Sequence, residues 1–271
     1  GSDAANFVGD IPKYYDSGLG PNLFHHYGAD ISERVKHTNP AAVLELAAGT
    51  GIVSRYLRNI LENRVTITST DLNLPMLDVA AMKFESNENI KFQMADAMSL
   101  PFEDAMFDTV VCQFGVMFFP DKEQSYREVH RVLRPNGSYI FNVWASREKN
   151  PFAQLVHETV AAFFQSNPPK FYEVPFGYND THVIMSSLKR AGFSSVLAEH
   201  IPHVAHVHNI ADFAKSLVYG NPICEEIRGI GGDLDEVVSS IEDSLKSKIG
   251  HISNNNVGTI PLEAIVFTAE F

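Results

Sequence analysis

Two periods of apolar residues alternate along this chain. Val43, Leu44 and Leu46 make a short buried-strand pattern that breaks into a turn at Gly49 and Gly51, and Ile52, Val53, Tyr56, Leu57 and Ile60 then repeat at helical spacing. Val65 to Thr70 is rich in β-branched residues and predicts a second strand ending at Asp71, after which Asn73, Leu74 and Pro75 open a helix through about Met82 or Lys83. Ile90, Phe92 and Met94 alternate as a third strand, and the apolar run from Phe107 to Phe114 reads as a central fourth. Asp121 with Gln124 three residues on starts a helix bearing Tyr126, Val129, Val132 and Leu133, which stops at Pro135-Asn136-Gly137; Ser138 to Trp144 is the fifth strand. This recurrence predicts an α/β fold, a doubly wound, Rossmann-like and mostly parallel sheet.

The remaining chain adds two strands and several helices. Phe152, Leu155, Val156, Val160, Phe163 and Phe164 form one helical stripe opened by Pro151; Asn167 to Tyr178 holds three prolines among aromatics; Asp180 caps a helix that ends at Gly192. Val196 and Leu197 belong to a sixth strand, Asn209 to Gly250 reads as helices with a hinge at Gly229 to Gly232, and Leu262 to Phe271 is a seventh strand, antiparallel to the sixth. Ahead of the core, Pro21 opens a pattern of Leu23, Phe24, Tyr27, Ile31 and Val35 that caps the sheet's edge or mouth. A single domain over 3–271 is expected, with an N-terminal cap at 3–38, a core at 40–145 and cap insertions at 146–179 and 204–258.

Composition narrows the class. Of the 271 residues 45% are hydrophobic, enough for a sizeable core, and the net charge of −12 without any Lys/Arg run argues against a nucleic-acid backbone as partner. Two cysteines, Cys112 and Cys224, do not form a disulfide framework, and no apolar stretch reaches the ~20 residues of a membrane span. A cytoplasmic enzyme acting on a small molecule is the reading that follows.

The glycine turn after the first strand suits the floor of a nucleotide-type pocket, and Asp71, about 20 positions past Gly51, stands where such folds place an acceptor for ribose hydroxyls. Asp96 with Ala97 and Met98, directly after the third strand, suits an adenine site, with Met76 as a further neighbour. Glu45 is an acid inside an apolar strand, either satisfied by nearby donors or partnering a ligand amine.

Five segments, Leu44 to Gly51, Ser69 to Asn73, Ala95 to Phe102, Phe107-Asp108 with Gln113-Phe114-Gly115, and Arg131 to Gly137, together resemble the class I S-adenosylmethionine-dependent methyltransferases. The resemblance is to the type 11 group that includes the ubiquinone and menaquinone biosynthesis enzymes. It implies S-adenosylmethionine as cofactor: the turn Ala47-Gly49-Thr50-Gly51 under the methionine portion and ribose, Asp71 and Leu72 at the ribose, Asp96, Ala97 and Met98 at the adenine, Gln113 and Phe114 at the methionine end. Glu45 would orient the turn and the cofactor's ammonium. One departure is Ala47, where the family usually has glycine, so the backbone there is expected to keep a conformation alanine accepts.

Methyl transfer needs positioning more than a nucleophile. A general base, where the acceptor requires one, would come from His25, His26, Tyr14 or Tyr178. The Pro-Pro-Tyr pattern of nucleobase and glutamine methyltransferases is absent from Gln113-Phe114-Gly115-Val116, so a small, partly apolar acceptor modified on carbon or oxygen is expected. The alternatives are a non-catalytic binder of the same cofactor and an NAD-dependent oxidoreductase, the latter lacking its third glycine because Ser54 stands there. His203, His206 and His208 lack the Cys or acid partners of a four-ligand metal site, and a solvated strand end is their default.

Overall fold

In a computed structural model describing residues 5–248 and 258–271, seven strands form one sheet in the order β3-β2-β1-β4-β5-β7-β6. These are β1 (Ala42–Leu46), β2 (Thr66–Asp71), β3 (Ile90–Met94), β4 (Phe107–Gln113), β5 (Leu133–Trp144), β6 (Ser195–Val207) and β7 (Gly258–Glu270). β1 to β5 run parallel, and β7 runs antiparallel between β5 and β6. The sheet order reverses at β1, flanked by β2 and β4, and the crevice at the carboxyl ends of these strands is where such sheets bind ligands.

Both faces of the sheet are covered, as the patterning requires. Val43 packs with Ile31 and Val35 of α2 (His25–His37) and with Val53 and Leu57 of α3 (Ile52–Ile60), while Leu44 and Leu46 face the larger cluster on the other side. Expected caps are present: Asp121 Oδ1 accepts from the Gln124 N–H at the start of α5 (Lys122–Val132), and Asp180 from the N–H groups of His182 and Val183 opening α7 (Thr181–Arg190). α5 ends three residues before Pro135, and β5 begins at once with Leu133 beside Phe107 and a bulge, so that strand is longer than its apolar run.

Three further stretches build a roof. Ile11–Tyr14 (α1) passes into a π-helical stretch, Tyr15–Phe24, that continues as α2; the helix therefore starts well before Pro21. α8 (Ile210–Tyr219) packs on the π-helical stretch, and α10 (Leu234–Lys248) packs on both α8 and α6 (Pro151–Phe163). A short α9 (Ile223–Gly229) links α8 to α10, and α4 (Leu74–Ala81) lies over β2. The second inserted stretch starts after Val207, not at 204, because β6 continues to that residue; its expected end near Gly250 falls outside the described residues. Among the described residues no helix is long and apolar enough to cross a membrane.

Asn150, fully buried before α6, fastens roof to sheet. Its amide nitrogen donates to the carbonyls of Ser146 and Glu263, each at 3.1 Å, and its Oδ1 accepts from the Glu263 N–H at 3.0 Å. Asn150→Ala strands these groups and is expected to lower the unfolding free energy by about 2–3 kcal/mol, seen as a lower urea midpoint at unchanged slope.

Candidate functional site

At the switch point the chain leaves β1 through a turn of left-handed residues: Ala47 at φ +51°, Gly49 at +56° and Gly51 at +84°. The turn is pinned by the Ala48 N–H donating to the Thr70 carbonyl at 2.8 Å. A Cβ on Gly51 would stand 2.8 Å from the Ala80 Cβ, so glycine lets α4 close on the turn. Ala47 corrects the expectation of an alanine-compatible backbone: it sits in the left-handed region, at a cost of about 1–2 kcal/mol. Its methyl is accommodated by Gly115, where a Cβ would lie 2.4 Å from that of Ala47. Phe114, beside it at the end of β4, is also left-handed at φ +50°.

The acids divide the work. Asp71, buried at the end of β2, accepts from the Gly49 N–H at 2.9 Å with Oδ2 and from the Asn73 N–H at 2.8 Å with Oδ1. A carboxylate can accept about four hydrogen bonds, so it retains capacity for a ligand's hydroxyls. Burial pushes its pKa up, and the two N–H donors oppose that. Asp96 is exposed after β3 and folds its Oδ1 onto the Met98 N–H at 3.0 Å. Glu45 has a different place from the one expected for an ammonium partner. It is 1% exposed and stays off the cavity wall, where its Oε1 accepts from Ser54 of α3 and, at 3.0 Å, from Ser69 of β2. Strand alternation accounts for this, since Glu45 shares Val43's face and so points toward α3. Thr50 and Gly51 likewise lie behind the wall.

Asp71, Leu72, Met76, Asp96, Ala97, Met98, Ala47 and Gly49 do converge on one cavity of about 260 Å³, with Gln113 and Phe114. A side chain at Gly49 would fill its floor, standing 3.6 Å from Met76 Cε and 4.0 Å from Tyr15 Cε1. Gln113 is tied to the roof by its amide donating to the Phe24 carbonyl at 3.1 Å. The far walls are aromatic: Trp144 stacks on Phe114 with centroids 4.0 Å apart, and Phe7 meets Tyr15 and Phe118 edge-on. Floor and strand ends are thus polar, and the roof is apolar.

None of the four base candidates reaches this cavity. Tyr14 lies against Tyr219 and Lys215; Tyr178 bonds Tyr126 hydroxyl to hydroxyl at 2.7 Å; His25 stands edge-on to Tyr56; His26 stacks on His203 at 3.5 Å. Tyr15 takes the place expected of Tyr14. Nine residues of α-helix make about two and a half turns and would put Tyr15 and Phe24 on opposite sides, but the wider turns, marked by the His25 N–H reaching the Gly20 carbonyl five residues back, let their rings stack at 4.8 Å. Burial and the nearby Asp71 raise the Tyr15 phenol, which therefore stays protonated. Among the described residues no cluster of three or more His, Cys, Asp or Glu side chains is arranged for a metal.

Two substitutions probe this floor. Ala47→Gly is expected to raise stability by about 1 kcal/mol, a rise of about 2–4 °C in the thermal midpoint at this chain length. Burial raises Glu45 from 4.5 to about 8, so the wild type favours the protonated acid when folded and loses stability as pH rises from 4.5 through about 8. Glu45→Gln is expected to match the wild type near the bottom of that window and to melt several degrees higher above it, in thermal melts across pH.

Comparison with known proteins agrees with this architecture. Residues 44–141 match the family model described as a methyltransferase domain. The ubiquinone/menaquinone biosynthesis C-methyltransferase of Hahella chejuensis is 33% identical over 121 residues, 44% of this chain and 48% of that protein. The demethylmenaquinone methyltransferase of Thermotoga maritima is 36% identical over 110 residues, 41% and 46%. The chain thus spans about half the length of these curated relatives. A Haemonchus contortus phosphoethanolamine N-methyltransferase 2, solved with S-adenosylhomocysteine, shares the fold at a TM-score of 0.63 and 17% identity, covering 100% of this chain and 60% of that one. Residues 44–141, which supply the turn and the strand ends of the cavity, therefore match a methyltransferase domain, and the chain is similar over less than half its length to the ubiquinone/menaquinone biosynthesis methyltransferases.

Proposed function

We propose that the chain binds S-adenosylmethionine in this cavity and catalyses methyl transfer to a small, partly apolar molecule, on carbon or oxygen. The observation that carries the reading is the convergence of the Gly49 turn, Asp71 and Asp96 on one cavity whose opposite wall is aromatic. Asp71 would hold the ribose hydroxyls, Ala97, Met76, Leu72 and Met98 would enclose the adenine beside Asp96, and Ala47, Gly49 and Gln113 would border the methionine end. When bound, the cofactor supplies a methyl group already activated by its sulfonium.

The chain's own part is positioning and exclusion of water. Among the described residues the lining holds no His, Lys, Arg or Glu, and its two carboxylates, Asp71 and Asp96, stand at the strand ends opposite the aromatic roof. Phe114, Trp144, Phe118 and Phe171 supply flat apolar walls that favour an aromatic or conjugated acceptor, one carrying its own nucleophilic carbon or ionisable oxygen. The curated relatives are named for quinone methylation, which makes quinone-like and phenolic acceptors the first to screen.

Calorimetric titration of S-adenosylmethionine, S-adenosylhomocysteine and NADH tests the reading. The first two are expected to bind, and Asp71→Asn to weaken them by about 10- to 100-fold, the worth of a hydrogen bond to a charged group. Binding of NADH alone would overturn it, and binding without transfer to any aromatic acceptor would leave a non-catalytic binder.

A further inference from the structure

Deep in the aromatic roof an amide side chain faces the cavity. Asn221 joins α8 to α9, is 7% exposed and lines the cavity with Tyr172 and Leu217. Its amide nitrogen donates to the Leu217 carbonyl at 3.1 Å and to the Tyr172 hydroxyl at 3.2 Å. The Tyr172 hydroxyl in turn donates to the same Leu217 carbonyl at 2.8 Å.

This triangle fixes which way the amide points. A carbonyl only accepts, and the Tyr172 proton is already spent on it, so the nitrogen must face both partners. Both amide hydrogens are used, and among the described residues no donor reaches Asn221 Oδ1. The backbone beside it is equally fixed, since a Cβ on Gly220 would stand 2.6 Å from the Ser216 carbonyl and 3.1 Å from the Tyr15 nitrogen. What the roof offers is a rigid hydrogen-bond acceptor in apolar surroundings, and an acceptor in such surroundings rewards a donor and penalises a ligand without one.

The geometry points to Asn221 as the residue that selects an acceptor substrate bearing a hydroxyl or amine hydrogen on an apolar, aromatic body. This deepens the methyltransferase reading and rests on it for the word substrate; the binding preference itself does not require methyl transfer. Tyr172 is the positioning residue, acting through the orientation of Asn221.

The chain's one tryptophan, Trp144, is in the same cavity and serves as the probe. Its quenching, excited at the red edge where phenols do not absorb, would be followed during titration of S-adenosylhomocysteine-loaded protein with para-propylphenol or its methyl ether, para-propylanisole. The phenol is expected to bind about tenfold more tightly, the value of one buried hydrogen bond. In Asn221→Ala that preference should vanish while the anisole's affinity stays within about threefold. Should that variant fail to fold, the wild type still decides: para-propylaniline, another donor, must side with the phenol. Equal binding of phenol and anisole, a donor series that does not group, or an Asn221→Ala that keeps the preference would overturn the assignment. Failure of the cofactor reading shows separately, as absent S-adenosylhomocysteine heat, with the titrations still readable on unloaded protein.

Discussion

The cavity depends on the main chain turning left-handed at two adjacent strand ends, Ala47 after β1 and Phe114 after β4. At both points a residue with a Cβ holds a conformation that glycine would hold at less cost, and the cost is met by what surrounds it. Gly115 leaves space for the Ala47 methyl, Trp144 stacks on the Phe114 ring, and Asp71 draws in the Gly49 N–H. Strain persists only where neighbours over-determine it, and such places gather at functional sites. Here the strain directs the backbone of two strands away from the sheet, which opens the crevice between them.

Polarity is partitioned across that crevice by secondary structure. Strand ends and the turn contribute Asp71 and Asp96, because backbone N–H groups there can satisfy carboxylates. The helical roof contributes rings, because helices satisfy their own backbone and leave side chains free to be apolar. Glu45 belongs to neither wall: it joins Ser54 and Ser69, so that an acid in mid-strand clamps α3 and β2 to β1 from behind.

Much of this is written in the sequence. The succession of strands and helices along the chain, the turn, the acids Asp71 and Asp96 at strand ends and the caps at Asp121 and Asp180 follow from local periods and short motifs, where neighbours in sequence decide the outcome. The roof does not. Tyr15 rather than Tyr14 lines the cavity because a π-helical stretch brings its ring against Phe24, and no local signal in Tyr15–Phe24 announces it. Asn221 is invisible for another reason: Leu217 is a local partner four residues back, but Tyr172 meets it only through packing of a separate insertion. Glu45 was readable, since a two-residue period puts it with Val43.

The place of β7 has a consequence for how the protein is made. Of the seven strands of this sheet the last in sequence, β7, lies between β5 and β6, pairing with β6 along its whole length and with β5 from Ala264 to Glu270. Until it arrives, β5 is an open sheet edge of apolar residues and β6 has no neighbour, so synthesis exposes a surface that invites pairing with other chains. Register between Ser138 and Glu270 must be found across nearly half the chain, which makes this closure a slow step.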